Sequence, residues 1–180
     1  MEHGLKVKVS KYISYLLRHN PENLNMDRYG FVSLDELLEK IRERFQVDKK
    51  FIFEIVEKSD RKRFGIVEDK IRALYGHTIP VRLQLKEDKS VKVLCNGTTV
   101  DAASKILKAG LKPMKRRWVH LSPTIETAIH VGLRRTHKPV VLRIDAEAAR
   151  KNGAKFHKAT DTVYFCSYIP PECIKRVTHT

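Results

Sequence analysis

Apolar residues recur every three to four positions near the start of the chain. Val9, Ile13, Leu16 and Leu17 predict a helix that Pro21 stops. Phe31-Val32 reads as a short extended piece. Ser33-Leu34-Asp35-Glu36 has the form of a capping box, in which the Ser33 hydroxyl and the Glu36 carboxylate satisfy two orphan amides reciprocally. Behind it Leu34, Leu37, Leu38, Ile41 and Phe45 make one apolar stripe. Asp48 caps a third helix that carries Ile52, Ile55 and Val56. Residues 63–67 and 71–74, joined by Glu68-Asp69-Lys70, have the pattern of a β-hairpin. Three helices and a hairpin make a winged-helix-like lobe, expected over residues 1–85. Such lobes often hold nucleic acid, and they also occur as plain scaffolds.

The pattern changes after the polar run Leu85-Lys86-Glu87-Asp88-Lys89-Ser90, which reads as a linker. Beyond it, short strands alternate with short helices. Strands are expected at 91–95, 118–121, 140–144, 163–166 and 174–177. Helices are expected at 100–109, stopped by Gly110, and at 146–152, ending at Gly153. A further helix is expected to open at Ser122-Pro123, with Ser at the N-cap and Pro at the first helical position. Short mixed elements with turns between them suggest an α+β lobe over residues 91–180 rather than a doubly wound sheet. The expected fold class is therefore α+β in two lobes, the second built of mixed sheets with short helices.

Composition narrows the function classes. At 180 residues, 42% hydrophobic and 32% charged, the chain has the balance of a globular protein. No apolar run approaches the roughly 18 residues that span a bilayer. The first residues lack the apolar core of a secretory leader, so none is expected. Three cysteines, Cys95, Cys166 and Cys173, show no CxxC spacing. They read as partly buried small hydrophobes in a reducing cytosol, not as a disulfide framework or zinc site. The net charge of +15 is uneven. Residues 1–90 carry 19 basic and 15 acidic side chains, whereas residues 91–180 carry 17 basic and only 6 acidic ones. Such a field attracts polyanions, nucleic acid first and an anionic cofactor second. A surface charged for solubility or thermostability would mix both signs, as only the first half does.

GxGxxG, P-loop, HExxH and nucleophile-elbow patterns are all missing, so the usual dehydrogenase, NTPase and hydrolase readings lose their support. No metal site is expected. Four local groups remain. Arg18-His19-Asn20-Pro21 ends the first helix, where cations are favoured by the helix dipole. It could equally offer a guanidinium fork and an imidazole to one phosphate. Arg61-Lys62-Arg63, Arg72 and Gly76-His77-Thr78 surround the hairpin, as solvated edge residues or as contacts to an RNA backbone. Asn96-Gly97-Thr98-Thr99 follows a strand and precedes a helix, as a plain turn or as a glycine loop facing a pyrophosphate. Lys115-Arg116-Arg117-Trp118-Val119-His120-Leu121-Ser122 combines a basic run with a strand histidine, and Gly132-Leu133-Arg134-Arg135 closes a helix. Cations without an obvious carboxylate base suit a reaction whose nucleophile is already an anion, or whose charge gathers on phosphoryl oxygens.

Taken together, these segments resemble a known family. The match runs through Ser10-Lys11-Tyr12-Ile13-Ser14-Tyr15-Leu16-Leu17-Arg18-His19, Gly30-Phe31-Val32, Asp60-Arg61-Lys62-Arg63-Phe64, Ile71-Arg72-Ala73, Gly76-His77-Thr78, Gly97-Thr98, Val119-His120-Leu121-Ser122, Gly132-Leu133-Arg134 and Val163-Tyr164 with Pro170-Pro171. The chain resembles the NAD-dependent RNA 2′-phosphotransferases, the family that contains the tRNA-splicing enzymes. The resemblance implies a winged-helix lobe followed by a lobe of the ADP-ribosyltransferase type. It implies NAD as co-substrate and, as partner, an RNA bearing an internal 2′-phosphate. By motif, Arg18, His19, Arg63 and Arg134 match the catalytic quartet. Asn96, Gly97, Thr98, His120, Leu121 and Ser122 match the NAD site. Arg72, His77, Arg116 and Arg117 are expected as RNA contacts.

Two positions depart from the family pattern: Asn96 stands where a histidine is usual, and Tyr75 where a glutamine precedes Gly-His. A cytoplasmic monomer without a protein partner is expected. Two other functions fit the same residues. One is an ADP-ribosyltransferase acting on nucleic-acid terminal phosphates, which would leave an ADP-ribosylated end. The other is an RNA-binding module without turnover.

Overall fold

In the computed structural model, which describes residues 2–58, 62–83 and 85–177, the chain divides into two compact units, Met1–Gln84 and Leu85–Thr180. Its architecture is mixed, with six α-helices and three small antiparallel sheets among the described residues.

In the first unit, α1 spans Glu2–Arg18 and buries Val9, Tyr12, Ile13, Leu16 and Leu17 along one side. It stops two residues before Asn20-Pro21, as a helix approaching proline does. A short strand β1 (Val32–Ser33) leads into α2 (Leu34–Arg42), whose Leu34, Leu37 and Ile41 are fully buried. Burying a side chain of this kind contributes roughly 1.5–3 kcal/mol relative to leaving it in water. Helix α3 (Lys49–Glu57) starts at Asp48, whose carboxylate accepts from the Phe51 amide at 2.9 Å. Strands β2 (Phe64–Val67) and β3 (Lys70–Ala73) form the hairpin, with β3 central in the order β1-β3-β2. Alternation turns Phe64, Ile71 and Ala73 into the helical core. It leaves Arg63, Gly65 and Arg72 on the opposite face.

Only half of the expected capping box forms. Ser33 Oγ accepts from the Glu36 amide at 3.4 Å, but the Glu36 carboxylate accepts from the Asn25 amide, also at 3.4 Å. Ser33 already belongs to a strand opposite Lys70, so the glutamate side chain serves the preceding loop instead of closing the box.

The second unit holds two sheets. One is ordered β10 (Ile174–Arg176), β7 (Val140–Asp145), β5 (Val93–Thr98). The other is ordered β4 (Lys86–Glu87), β8 (His157–Thr160), β9 (Val163–Cys166), β6 (Val119–Leu121). The sheets meet where Cys95 and Ser122 exchange backbone hydrogen bonds of 2.7 and 2.8 Å. Helices α4 (Val100–Ala109), α5 (Ile125–Gly132) and α6 (Ala146–Lys151) pack on this frame, and a 3-10 turn (Pro171–Cys173) precedes β10. Helix α4 has the punctuation read from the sequence: Thr99 caps its start, and Gly110 ends it at φ +90°.

Three expectations for this unit fail. The polar run taken as a linker contributes strand β4, which pairs Lys86 with Lys158 and Glu87 with His157. A two-residue, fully polar edge strand carries no hydrophobic pattern and exists only through its partner. Residues 96–98 are not a turn, because β5 continues through Thr98 opposite Val140. The helix after β6 is capped by Thr124, whose Oγ1 accepts from the Thr127 amide at 3.1 Å. Ser122 is not that cap, because its backbone is engaged with Cys95 and the chain stays extended past it.

Candidate active-site residues

In the first unit, the segment after the hairpin folds back on the end of α1. The Thr78 amide donates to the Arg18 carbonyl at 2.9 Å, and the Ile79 amide reaches the same oxygen at 3.4 Å. Thr78 Oγ1 also donates to that carbonyl, at 3.4 Å, and so accepts from His19 Nδ1 at 2.9 Å. Helix-end carbonyls that lack an intrahelical partner are thereby satisfied. The guanidinium of Arg18 lies over the Tyr75 ring, 4.8 Å from its centroid. It also rests against Gly76, where an added Cβ would stand 3.2 Å from Nε and 3.3 Å from Cζ. Gly76 has φ +88°, which a side chain would strain, so both space and backbone call for glycine.

His77 faces inward and is 4% exposed. Neither ring nitrogen has a hydrogen-bond partner among the described residues. Burial, then the positive charge of Arg18, His19 and Arg72, lowers its pKa to about 4. At neutral pH it is an uncharged ring behind the cationic group rather than a surface contact. Arg72 lies over the Phe31 ring at 4.6 Å. On the hairpin Gly65 stands opposite Arg72, and the Leu74 amide donates to the Arg63 carbonyl, so Arg63 and Arg72 are diagonal neighbours on one face. An added Cβ at Gly65 would stand 3.1 Å from Leu74 Cδ2, so the Leu74 side chain covers this position. The structure thus brings Arg18, His19, Arg72 and His77 together and sets Arg63 on the face that Arg72 shares. Arg61 lies outside the described residues. A groove of about 730 Å³ in this unit is lined by residues such as Leu5, Phe45, Val47 and Phe51, and none of the candidate residues lines it.

In the second unit, the two expected NAD-binding segments lie side by side at the junction of the sheets. The Cys95–Ser122 bridge sets them in register, and Asn96 Nδ2 donates to the His120 carbonyl at 3.5 Å. Oδ1 of Asn96 is buried and has no partner among the described residues. Thr98, Leu121 and Ser122 are buried. His120 stacks on Phe165 with centroids 4.7 Å apart, and Trp118 stacks on the same ring at 6.2 Å. Arg116 Nη1 hydrogen-bonds His120 Nδ1. A guanidinium can only donate, so Nδ1 is the acceptor and Nε2 carries the proton. Arg116 therefore sits with the His120 cluster, and both Arg116 and Arg117 are exposed. Arg134 is exposed on the turn that follows α5.

Gly97 has a packing role in this frame. A Cβ there would stand 1.7 Å from the Ala128 carbonyl oxygen and 3.1 Å from the Gly132 amide nitrogen. The missing side chain admits the backbone of α5 against β5. Gly132 faces the same contact and is hemmed on its other side by Pro139.

Residues 5–168 match the RNA 2′-phosphotransferase, Tpt1/KptA family. The chain belongs to this family. It is 44% identical over 174 residues to a probable RNA 2′-phosphotransferase of Pyrococcus abyssi, covering 95% of each chain. It is 40% identical to one from Fusobacterium nucleatum, over 94% of this chain and 97% of that one. It is also 40% identical to one from Archaeoglobus fulgidus, over 94% of this chain and 80% of the relative.

The family is one of transferases, and every candidate residue named from the sequence lies inside the matched region. Tyr75, which the sequence marks as a departure from the family pattern, and Thr78, part of the Gly76-His77-Thr78 group, set the Arg18 and His19 side chains. Phe31 bears on Arg72 without being a candidate from the sequence. Phe165 does the same for His120.

Proposed function

We propose that the protein removes an internal 2′-phosphate from RNA by transferring it to NAD. Membership of the RNA 2′-phosphotransferase family carries this reading. In the first step a 2′-phosphate oxygen attacks the anomeric carbon of the nicotinamide ribose, and the bond to nicotinamide breaks. The phosphate is already an anion, so no base is needed. In the second step the neighbouring ribose hydroxyl attacks phosphorus and the bond to the RNA 2′-oxygen breaks. The hydroxyl proton ends on that oxygen. The products are RNA with a free 2′-hydroxyl, ADP-ribose 1″,2″-cyclic phosphate and nicotinamide.

The three helices and three-stranded antiparallel sheet of the first unit support a winged-helix reading. The paired antiparallel sheets of the second support a lobe of the ADP-ribosyltransferase type. Arg18, Arg63 and Arg134 are assigned to gripping the 2′-phosphate and neutralising charge as phosphorus is attacked. His19 is assigned to orienting that phosphate, its ring angle set by Thr78. Arg72 and the exposed Arg117 are assigned to the RNA backbone. The sheet junction of the second unit is assigned to NAD. The buried, unpartnered Oδ1 of Asn96 fits this, since it can accept from a ribose hydroxyl. No helix among the described residues is long and apolar enough to cross a membrane, and no group of three or more His, Cys, Asp or Glu is placed to hold a metal.

The test is incubation with NAD and a short RNA bearing one internal 2′-phosphate, followed by mass analysis. Loss of the phosphate with formation of the cyclic phosphate supports the reading. An ADP-ribosylated RNA that never resolves in the wild-type protein, or NAD left intact while the RNA binds, refutes it. Arg18→Ala is expected to slow the second step more than the first.

A further inference from the structure

We infer that Tyr75 is a positioning residue that fixes the plane of the Arg18 guanidinium, and so the direction in which Arg18 presents its hydrogen bonds to a phosphate. This rests on the assignment of Arg18 to the 2′-phosphate. A guanidinium grips a phosphate through two parallel N–H groups, so its value depends on its plane as well as its place. A side chain at the end of a helix would ordinarily sample several rotamers. Here Arg18 is bounded on one side by the Tyr75 ring, 4.8 Å from Cζ, and on another by the Gly76 backbone. Tyr75 is itself 5% exposed and therefore held in place. The same strap ties down the backbone of Arg18 through the Thr78 and Ile79 amides and holds the His19 ring through Thr78 Oγ1. One five-residue segment thus sets both side chains, with Tyr75 presenting its ring face to Arg18.

The contact between Tyr75 and Arg18 is made by the face of the ring. Tyr75→Phe is therefore expected to keep kcat within about twofold of wild type, whereas Tyr75→Leu loses about tenfold, within the range of a desolvated cation–π contact. The loss should fall on kcat rather than on the KM for NAD. A double-mutant cycle isolates the route: on an Arg18→Ala background, Tyr75→Leu should cost no more than about twofold further. Equal losses in the Phe and Leu variants overturn the inference, as does a Leu loss that is undiminished without Arg18. Matched melting temperatures separate these outcomes from misfolding. A readout independent of turnover is the upfield ring-current shift of the Arg18 Cδ protons, expected in wild type and Tyr75→Phe and absent in Tyr75→Leu. A wild-type protein that shows the shift but no turnover would sink the proposed function and leave the packing of Arg18 on Tyr75 standing. A wild-type protein that turns over without the shift would do the reverse.

Discussion

Protonation of His77 should cost the folded protein stability in a defined pH window. The ring is buried beside Arg18, His19 and Arg72, with Gly30 close to its Nε2, and among the described residues no carboxylate offsets these charges. Its pKa falls to about 4 from an ordinary 6.5. The sign follows from proton counts. Between those two values the unfolded chain carries a proton on this ring and the folded chain does not. Stability from this group is therefore complete above about pH 6.5 and declines as the pH falls towards 4. The whole window corresponds to about 3 kcal/mol, and the fall from pH 7.5 to pH 5 to about 2 kcal/mol. Urea unfolding of wild type and His77→Phe at both pH values measures it, since other titrating groups contribute alike to the two proteins. The variant should lose about 2 kcal/mol less than wild type over that interval. Direct titration of the imidazole by NMR gives a second reading without any substitution. A midpoint near the ordinary value, or identical pH dependence in the two proteins, would refute the buried, neutral placement.

Other perturbations probe the frame and the second unit. Gly97→Ala puts a Cβ on the Ala128 carbonyl and should destabilise by about 1–3 kcal/mol or more. That lowers the melting temperature by roughly 5 °C or more, and an unchanged melt would deny the close seat of α5. Asp48→Ala removes the cap of α3 and should cost about 1 kcal/mol by denaturant unfolding. Asn96→His introduces the histidine that the family resemblance implies at this position and, on the proposed function, should change NAD affinity, measured by calorimetry, while activity is retained. No change in affinity would argue against a cofactor contact at this position.

The elements that could be read from the sequence are those whose causes are local. Helix α2 shows its stripe of Leu34, Leu37, Leu38 and Ile41, and α4 carries its own stop signs in Thr99 and Gly110. The elements that were misread have causes elsewhere in the chain. Lys86 and Glu87 are a strand because residues 157–158 pair with them. Ser122 is not a helix cap because Cys95, 27 positions away, holds its backbone. The same division runs through the candidate site. The types of side chain suited to a phosphate can be picked out by eye, yet their geometry comes from partners far along the chain, such as Thr78 for His19 and Tyr75 for Arg18. Gly97 states the limit most clearly. A glycine inside a strand signals that something approaches the backbone closely. A ligand and a helix leave the same mark in sequence. At Gly97 the carbonyl of Ala128 occupies the space, so the glycine builds the seat for α5. Any cofactor contact at this stretch of β5 would come from the main chain or from Asn96 and Thr98, whose side chains alternate to the opposite face of the strand.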